Sequence, residues 1–387
     1  MRRLDACVRS LLVLVALPAL AQESEDAAPA SSAASFLERV ELHGFGGWAY
    51  GDSDENPISV ATPAGSWNNA SGGLMLSAKP VERLLVHLQV AAHAGHGHGS
   101  DDEGSVTLDR VFAQWSFNDA VKLRGGKVPH PIGVYSEIYD VGTLRPLFDL
   151  PHTVYGSAGI SGEAYEGIGL TGYRSLGDFG VSYDLYLGEV DLEIAEPFER
   201  FGCALILTCD AEEEEREVDD LLGGRLVLET PVGGLSVGGA FYLSLADSGE
   251  HRVAGMQATY QGADLRVASE YYNTSQEEGD QTIDSFYLEG GHRLFRALGL
   301  DALEPVELAA RFEWSDVDFD APTLVRLTQH RSFELGFNYW FADSFVARLS
   351  YQNVRGNLFA FDDEEIEAGV IPSRTTNAFL AGLQASF

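Results

Sequence analysis

The sequence predicts an all-β protein, a transmembrane antiparallel β-barrel of about 16 strands with an inward-folded third long loop. Three observations predict it. Segments of about ten residues alternate apolar with small or polar side chains at a two-residue period. The connections between them alternate short and long, as in a membrane barrel. Beyond the N-terminal segment no apolar run reaches the roughly 18 residues a spanning helix needs. Mean hydropathy is close to zero, as expected where lipid-facing and lumen-facing residues cancel within any window.

The N-terminus reads as an export signal over 1–21. Arg2 and Arg3 supply its positive start, Leu11 to Leu17 its apolar stretch, and Ala19-Leu20-Ala21 a small-x-small cleavage site. No Cys follows that site, which argues against a lipid anchor, and Cys7 leaves with the signal. Residues 22–39, rich in Ala, Ser and Glu, read as a flexible periplasmic lead-in. The barrel is expected over 40–387.

Strands are expected to start near Val40, Asn68, Val81, Val106, Val121, Glu163, Asp178, Asp219, Gly234, Arg252, Ala263, Thr282, Pro305, Gln329, Ser344 and Thr375. The total is even, as single-chain bacterial barrels require. The thirteenth sets Val306, Leu308, Ala310, Phe312 and Trp314 against Glu307, Arg311 and Glu313. The fourteenth sets Phe333, Leu335, Phe337, Tyr339 and Phe341 against Glu334, Gly336 and Asn338. In the last, Phe379, Ala381, Leu383, Ala385 and Phe387 share a face, and Leu380 breaks the pattern opposite. Tight turns at Lys79-Pro80, Asn118-Asp119, Ser175 to Gly177, Pro231 to Gly233, Gln261-Gly262 and Phe341 to Asp343 carry the Gly, Pro, Asn and Asp that turns demand. The stretch from Leu294 to Leu303 fits less well, being long for an inner turn.

A strand ending on a terminal aromatic, in a chain with an export signal, resembles the final strand of bacterial outer-membrane barrels. Their assembly machinery reads such a residue, here Phe387. The resemblance implies the outer membrane of a Gram-negative bacterium, with bilayer and lipopolysaccharide as surroundings.

The formal charge of −34 argues against nucleic acid as a partner. Acids concentrate in expected loops, such as Glu212 to Asp220 and Asp362 to Glu367. Cys203 and Cys209 lie close together in an exported chain and are expected to form a disulfide, with a metal-binding thiol pair as the alternative. His93, His96 and His98 with Asp101 form a Gly-rich cluster that reads either as a metal site at the barrel mouth or as a polar loop with incidental histidines. No cofactor is expected, apart from divalent cations at the acidic outer loops.

The longest connection, 128–162, is Pro-rich and aromatic rather than acidic. Ile132, Val134, Tyr135, Ile138, Tyr139, Leu147 and Phe148 need something to pack against, and the barrel interior is the available place. Around this segment Gly125-Gly126-Lys127, then Pro129, Pro131-Ile132-Gly133-Val134-Tyr135 and Glu137, followed by Asp140-Val141 and Arg145-Pro146, resemble porins of the phosphate-selective (O and P) type and related porins. The resemblance implies a homotrimer with the third loop as constriction.

By parity, Arg83, Arg110, Arg124, Arg311 and Arg348 face the lumen, with Lys127 and Arg145 at the loop and Glu137 and Asp140 on the facing loop. Rows of basic side chains would guide anions. Pairing with wall carboxylates such as Asp184, Glu270, Glu307, Glu313 and Glu334 is the alternative. No Gly-x-Ser-x-Gly elbow, His-Glu-x-x-His or phosphate-cradling Gly loop is present. The expected function is therefore passive diffusion of small hydrophilic solutes, with anions as a candidate class, through a water-filled lumen. The alternatives are a non-conducting structural or adhesive barrel with cation- or lipopolysaccharide-binding loops, and a barrel hydrolase.

Overall fold

The computed structural model describes residues 39–54, 58, 61–67, 69–94, 104–155, 160–192, 216–244, 251–276, 281–319, 329–356 and 374–387. The signal and lead-in, His96, His98, Asp101, Cys203 and Cys209 lie outside them, as do the acidic runs 212–215 and 362–367.

Sixteen strands follow in order: β1 Val40–Ser53, β2 Ala70–Val81, β3 Leu84–Ala94, β4 Ser105–Asn118, β5 Val121–Pro129, β6 Ala164–Leu176, β7 Phe179–Leu192 and β8 Arg216–Glu229. The second half holds β9 Leu235–Ser244, β10 His251–Gln261, β11 Leu265–Gln276, β12 Gln281–His292, β13 Val306–Phe319, β14 Gln329–Ala342, β15 Phe345–Gly356 and β16 Arg374–Ser386. Every neighbour in the sheet is a neighbour in sequence, and β16 returns to β1, so the barrel is closed. Closure leaves no unpaired edge for hydrocarbon to meet. Phe387 completes the seam: its N–H donates to the Gly44 carbonyl at 2.9 Å, and Gly44 N–H donates to the Phe387 carbonyl at 3.1 Å.

Parity decides which side chains meet lipid. On β14, Phe333, Leu335, Phe337, Tyr339 and Phe341 are exposed, whereas Ser332, Glu334, Asn338 and Trp340 are buried. The same division of exposed apolar and buried polar side chains runs through β13, β15 and β16. A soluble protein would place them the other way round. Leu380, the residue that breaks the pattern of β16, is buried inside, where it joins Ile58, Ala61 and Ala378 with Phe148 and Val354 packed against them. The break in parity is thus a contact for the inward-turned β1–β2 connection. The long inner turn between β12 and β13 is filled by two short helical turns, Leu294–Ala297 and Asp301–Leu303.

Large inward side chains lie over glycines of the wall. A Cβ at Gly169 would strike Tyr165, one at Gly223 would strike Tyr186, and one at Gly255 would strike Tyr272. Gly126 has φ +125°, and a Cβ there would strike the backbone of β4. It sits in line with Gly167 and Gly188 across β5, β6 and β7, so the wall can bend just below the point where the long connection leaves β5.

Candidate functional site

The connection between β5 and β6 lies against the inner face of the wall. It carries 3₁₀ turns at Ser136–Ile138 and Gly142–Leu144 and a helical turn at His152–Tyr155. Ile132, Tyr135, Val154, Tyr155 and Ile160 join buried wall residues Tyr165, Tyr186, Tyr242, Tyr272 and Tyr287 in one apolar cluster. At the loop's root His130 is fully buried, with Nε2 3.1 Å from the Tyr186 hydroxyl. Burial pushes that imidazole down to about 3, so it is neutral. On the return limb the Tyr242 hydroxyl donates to the Ile160 carbonyl at 2.9 Å.

A non-repetitive loop has backbone carbonyls with no ladder to join, and burial makes each a cost unless a donor is found. Here arginines supply the donors. Arg110 donates to the carbonyls of Glu137 at 2.9 Å and Ser136 at 3.2 Å. Arg225 reaches the Gly133 carbonyl at 3.3 Å and the Ser136 hydroxyl at 2.9 Å while pairing with Asp184. Arg266 donates to Leu144 and Arg145 carbonyls at 3.2 and 3.0 Å. Arg311 takes the Asp149 carbonyl at 2.8 Å. Arg348 takes those of Leu147, Gly142 and Arg145, the last two at 3.0 and 2.6 Å. Asn338 adds the Pro146 carbonyl at 2.7 Å.

Carboxylates of the wall fix the loop's donors in turn. Glu270 accepts from Val134 N–H at 3.1 Å and from the hydroxyls of Tyr155 at 2.6 Å and Tyr287. Glu289 accepts from the Tyr135 hydroxyl. Glu313 accepts from Thr153 N–H at 3.0 Å. Arg311 stands among Glu289, Glu313 and Glu334 at 3.4, 2.9 and 2.7 Å, and Arg266 pairs with Glu307 at 2.7 Å.

The residues singled out by sequence therefore divide. Arg110, Arg311 and Arg348 are inward and almost fully buried; Arg110 and Arg348 donate to the loop, and Arg311 divides its donors between three wall carboxylates and the Asp149 carbonyl. Arg145, on the loop, holds the loop's own Tyr139 and Phe148 carbonyls, both at 3.1 Å. Arg124 stays partly exposed on the inner wall and pairs at 3.0 Å with Glu137, whose side chain is 47% exposed. Burial would raise the Glu137 carboxyl, but Arg124, then Arg225 and Arg110, hold it below its ordinary value. Two placements differ from expectation. Arg83 sits exposed in the turn between β2 and β3, outside the wall. Lys127 faces outward: its register partner is the exposed Val111, and it meets Glu166 at 3.9 Å. Val128, next to it, takes the inward position.

A bulge between β3 and β4 leaves Asp109 without a register partner and turns both Asp109 and Arg110 inward. Carboxylate oxygens of Asp109, Asp140 and Glu163 then lie within 4.8 Å of one another. This group is the one that could take a cation among the described residues, although Arg110 already supplies positive charge at 4.0 Å from Asp140 and 3.9 Å from Glu163. Burial, then the Asp140 and Asp109 charges, push the Glu163 carboxyl up to about 9. His93 lies in β3; His96, His98 and Asp101 are outside the described residues.

Sequence reasoning missed Arg225 and the inward tyrosines 165, 186, 242, 272 and 287. The signal was available: large aromatics at inward parity, opposite glycines, imply something inside to pack against.

No family model matches the chain, and no curated protein matches it. Solved structures do resemble it. The outer membrane channel DcaP of Acinetobacter baumannii is 10% identical, with a TM-score of 0.58 over 90% of this chain and 97% of that one. OmpF of Salmonella typhi, in complex with daunomycin, gives 13%, 0.58 and the same coverage. An anion-selective porin from Comamonas acidovorans gives 12% and 0.55 over 90% and 99%. The fold is a porin fold. At these identities the likeness speaks for the fold alone.

Proposed function

We propose that this chain is an outer-membrane diffusion porin for small hydrophilic solutes, with its lumen narrowed by the β5–β6 loop. The observation that carries the reading is the attachment of that loop, by backbone carbonyls, to inward arginines from β4, β8, β11, β13 and β15. A loop pinned around so much of the circumference narrows the passage without depending on its own flexibility. The resemblance of 125–146 to phosphate-selective porins supports the same assignment, as does the channel fold. An in vitro folded OmpT of Vibrio cholerae with a similar fold is described as a trimer, and a homotrimer is proposed here too.

Selectivity is assigned to the groups a solute can reach. Arg348 is spent on the loop and Arg311 on the wall carboxylates Glu289, Glu313 and Glu334 with the loop's Asp149 carbonyl, so both hold the constriction in shape rather than facing the solute. Arg124 and Glu137 pair at 3.0 Å where both keep some solvent access, and the field of that pair sorts solutes by polarity. The test is the reversal potential under a salt gradient: Arg124→Glu should move selectivity toward cations, and Arg311→Gln should leave it in place. Equal shifts in both would contradict this division. A hydrolase has little to stand on. Ser77 Oγ lies 3.0 Å from His87 Nδ1, but the imidazole's flank packs on the Phe112 ring and no carboxylate bonds to it among the described residues.

A further inference from the structure

We propose that Arg331 and Arg355, on the outward wall of β14 and β15, bind the phosphate groups of lipopolysaccharide in the outer leaflet. The two residues are register partners across the β14–β15 ladder. Both are exposed, and their chain neighbours His330, Ser332 and Gly356 are buried, so both guanidiniums point away from the lumen.

Their depth follows from the strands themselves. Below Arg331 the outward face of β14 is apolar from Phe333 to Phe341, about 27 Å along a strand at ~3.4 Å per residue, or close to the ~25 Å apolar band of such barrels once tilted. Phe341 adjoins a tight turn of the periplasmic end. Arg331 therefore stands at the opposite, outer edge of the band. The neighbouring wall turns polar at the same level: the Tyr351 hydroxyl and Asn353 amide both donate to Asn377 Oδ1 at 2.7 Å, and Trp314 lies beside Arg331 in register.

Like charges directly opposite on a ladder destabilise the pairing, and an anion between them reverses the sign. A guanidinium offers five N–H donors in a planar fork matched to phosphate, so donors remain for a headgroup whatever carboxylate either arginine meets within the protein. Of the other outward opposed pairs in the outer part of the wall, Glu166 with Glu189 and Asp284 with Asp316 are acidic and Lys127 with Glu166 is mixed. Against a chain of charge −34, two adjacent arginines mark a place where an anionic lipid is accommodated. The proposal rests on the barrel and its orientation, not on conduction.

The folded full-length chain in detergent would be titrated with bis-phosphorylated lipid A, and bound lipid read by native mass spectrometry. The Arg331→Gln/Arg355→Gln variant should bind about tenfold more weakly or worse, since charge-assisted bidentate bonds are lost. Lipid A stripped of its phosphates should bind wild type no better than the variant. Equal binding of bis-phosphorylated lipid A by both proteins would overturn the proposal. So would displacement of the lipid by excess inorganic phosphate, which would make this a free-anion site. Should the glutamine variant fail to fold, Arg331→Lys/Arg355→Lys keeps the charge and removes the fork; unweakened binding to it would equally overturn the assignment. Conductance plays no part in this readout, so its failure leaves the porin reading standing.

Discussion

The Arg348 guanidinium donates to the carbonyl oxygen of Arg145 at 2.6 Å, joining β15 to a loop 203 residues earlier in the chain. One cation thus holds the backbone of a segment that carries another cation. The pair of like charges is tolerated because the contact is guanidinium to carbonyl, with the Gly142 and Leu147 carbonyls sharing the same donor group. This relationship recasts an inward arginine as a structural anchor.

Removing that anchor should loosen the constriction. Arg348→Ala takes a donor from three carbonyls; those of Arg145 and Gly142 keep Arg266 and the Arg145 N–H, whereas that of Leu147 is orphaned, a loss of about 1–3 kcal/mol. Single-channel conductance should rise and become noisier, and the urea midpoint should fall. Unchanged conductance with normal folding would show that the loop is held without Arg348.

The Arg124–Glu137 pair should behave differently. Glu137→Gln leaves the loop's carbonyl bonds in place while removing the half-exposed negative charge. Reversal potentials should shift toward anion preference, with conductance little changed. A shift toward cations would contradict the assignment of the field.

Stability should depend on Glu163. Its carboxyl is raised to about 9 in the folded chain, so the folded state holds more protons than the unfolded one between about 4.5 and 9. The associated stabilisation is fully present below the unfolded value near 4.5 and is lost as pH rises through 9. Thermal unfolding should thus fall in temperature from pH 6 to pH 10, and Glu163→Gln should flatten that slope. An equally steep slope in the variant would assign the effect to other groups.

Gly126→Ala tests the bend in the wall. With φ at +125° and the β4 backbone where a Cβ would go, the substitution should cost more than the ~1 kcal/mol of an ordinary glycine replacement. The readout is the fraction of chain reaching the heat-modifiable, compact form on refolding. Wild-type yield would contradict a need for glycine there.

Much of the fold was legible because barrels obey parity. The strand starts read from alternation and turn residues lie within three residues of those observed, and the exposed ladder of β14 is the one its aromatics mark. Leu380 was visible as an exception but not explicable, since its partners Ile58 and Phe148 come from distant loops. Arg110, Arg311 and Arg348 take inward positions, and Arg311 pairs with Glu313 and Glu334, one of the two roles the sequence left open; the anchoring of the loop by Arg110 and Arg348 was not readable. A guanidinium that binds backbone carbonyls leaves no trace in side-chain pattern, because any loop sequence supplies the acceptor. Lys127 shows the opposite failure: it shares parity with the exposed Leu123 and alternates with the buried Val128, which sets it outside, and proximity to the loop motif obscured that.

A water-filled passage narrowed by an anchored loop is best tested by single-channel recording of the refolded chain in a planar bilayer. Open channels of small, steady conductance, closing in groups of three, are the predicted result. Folded protein that inserts but passes no current would contradict it and make the barrel a closed, structural one.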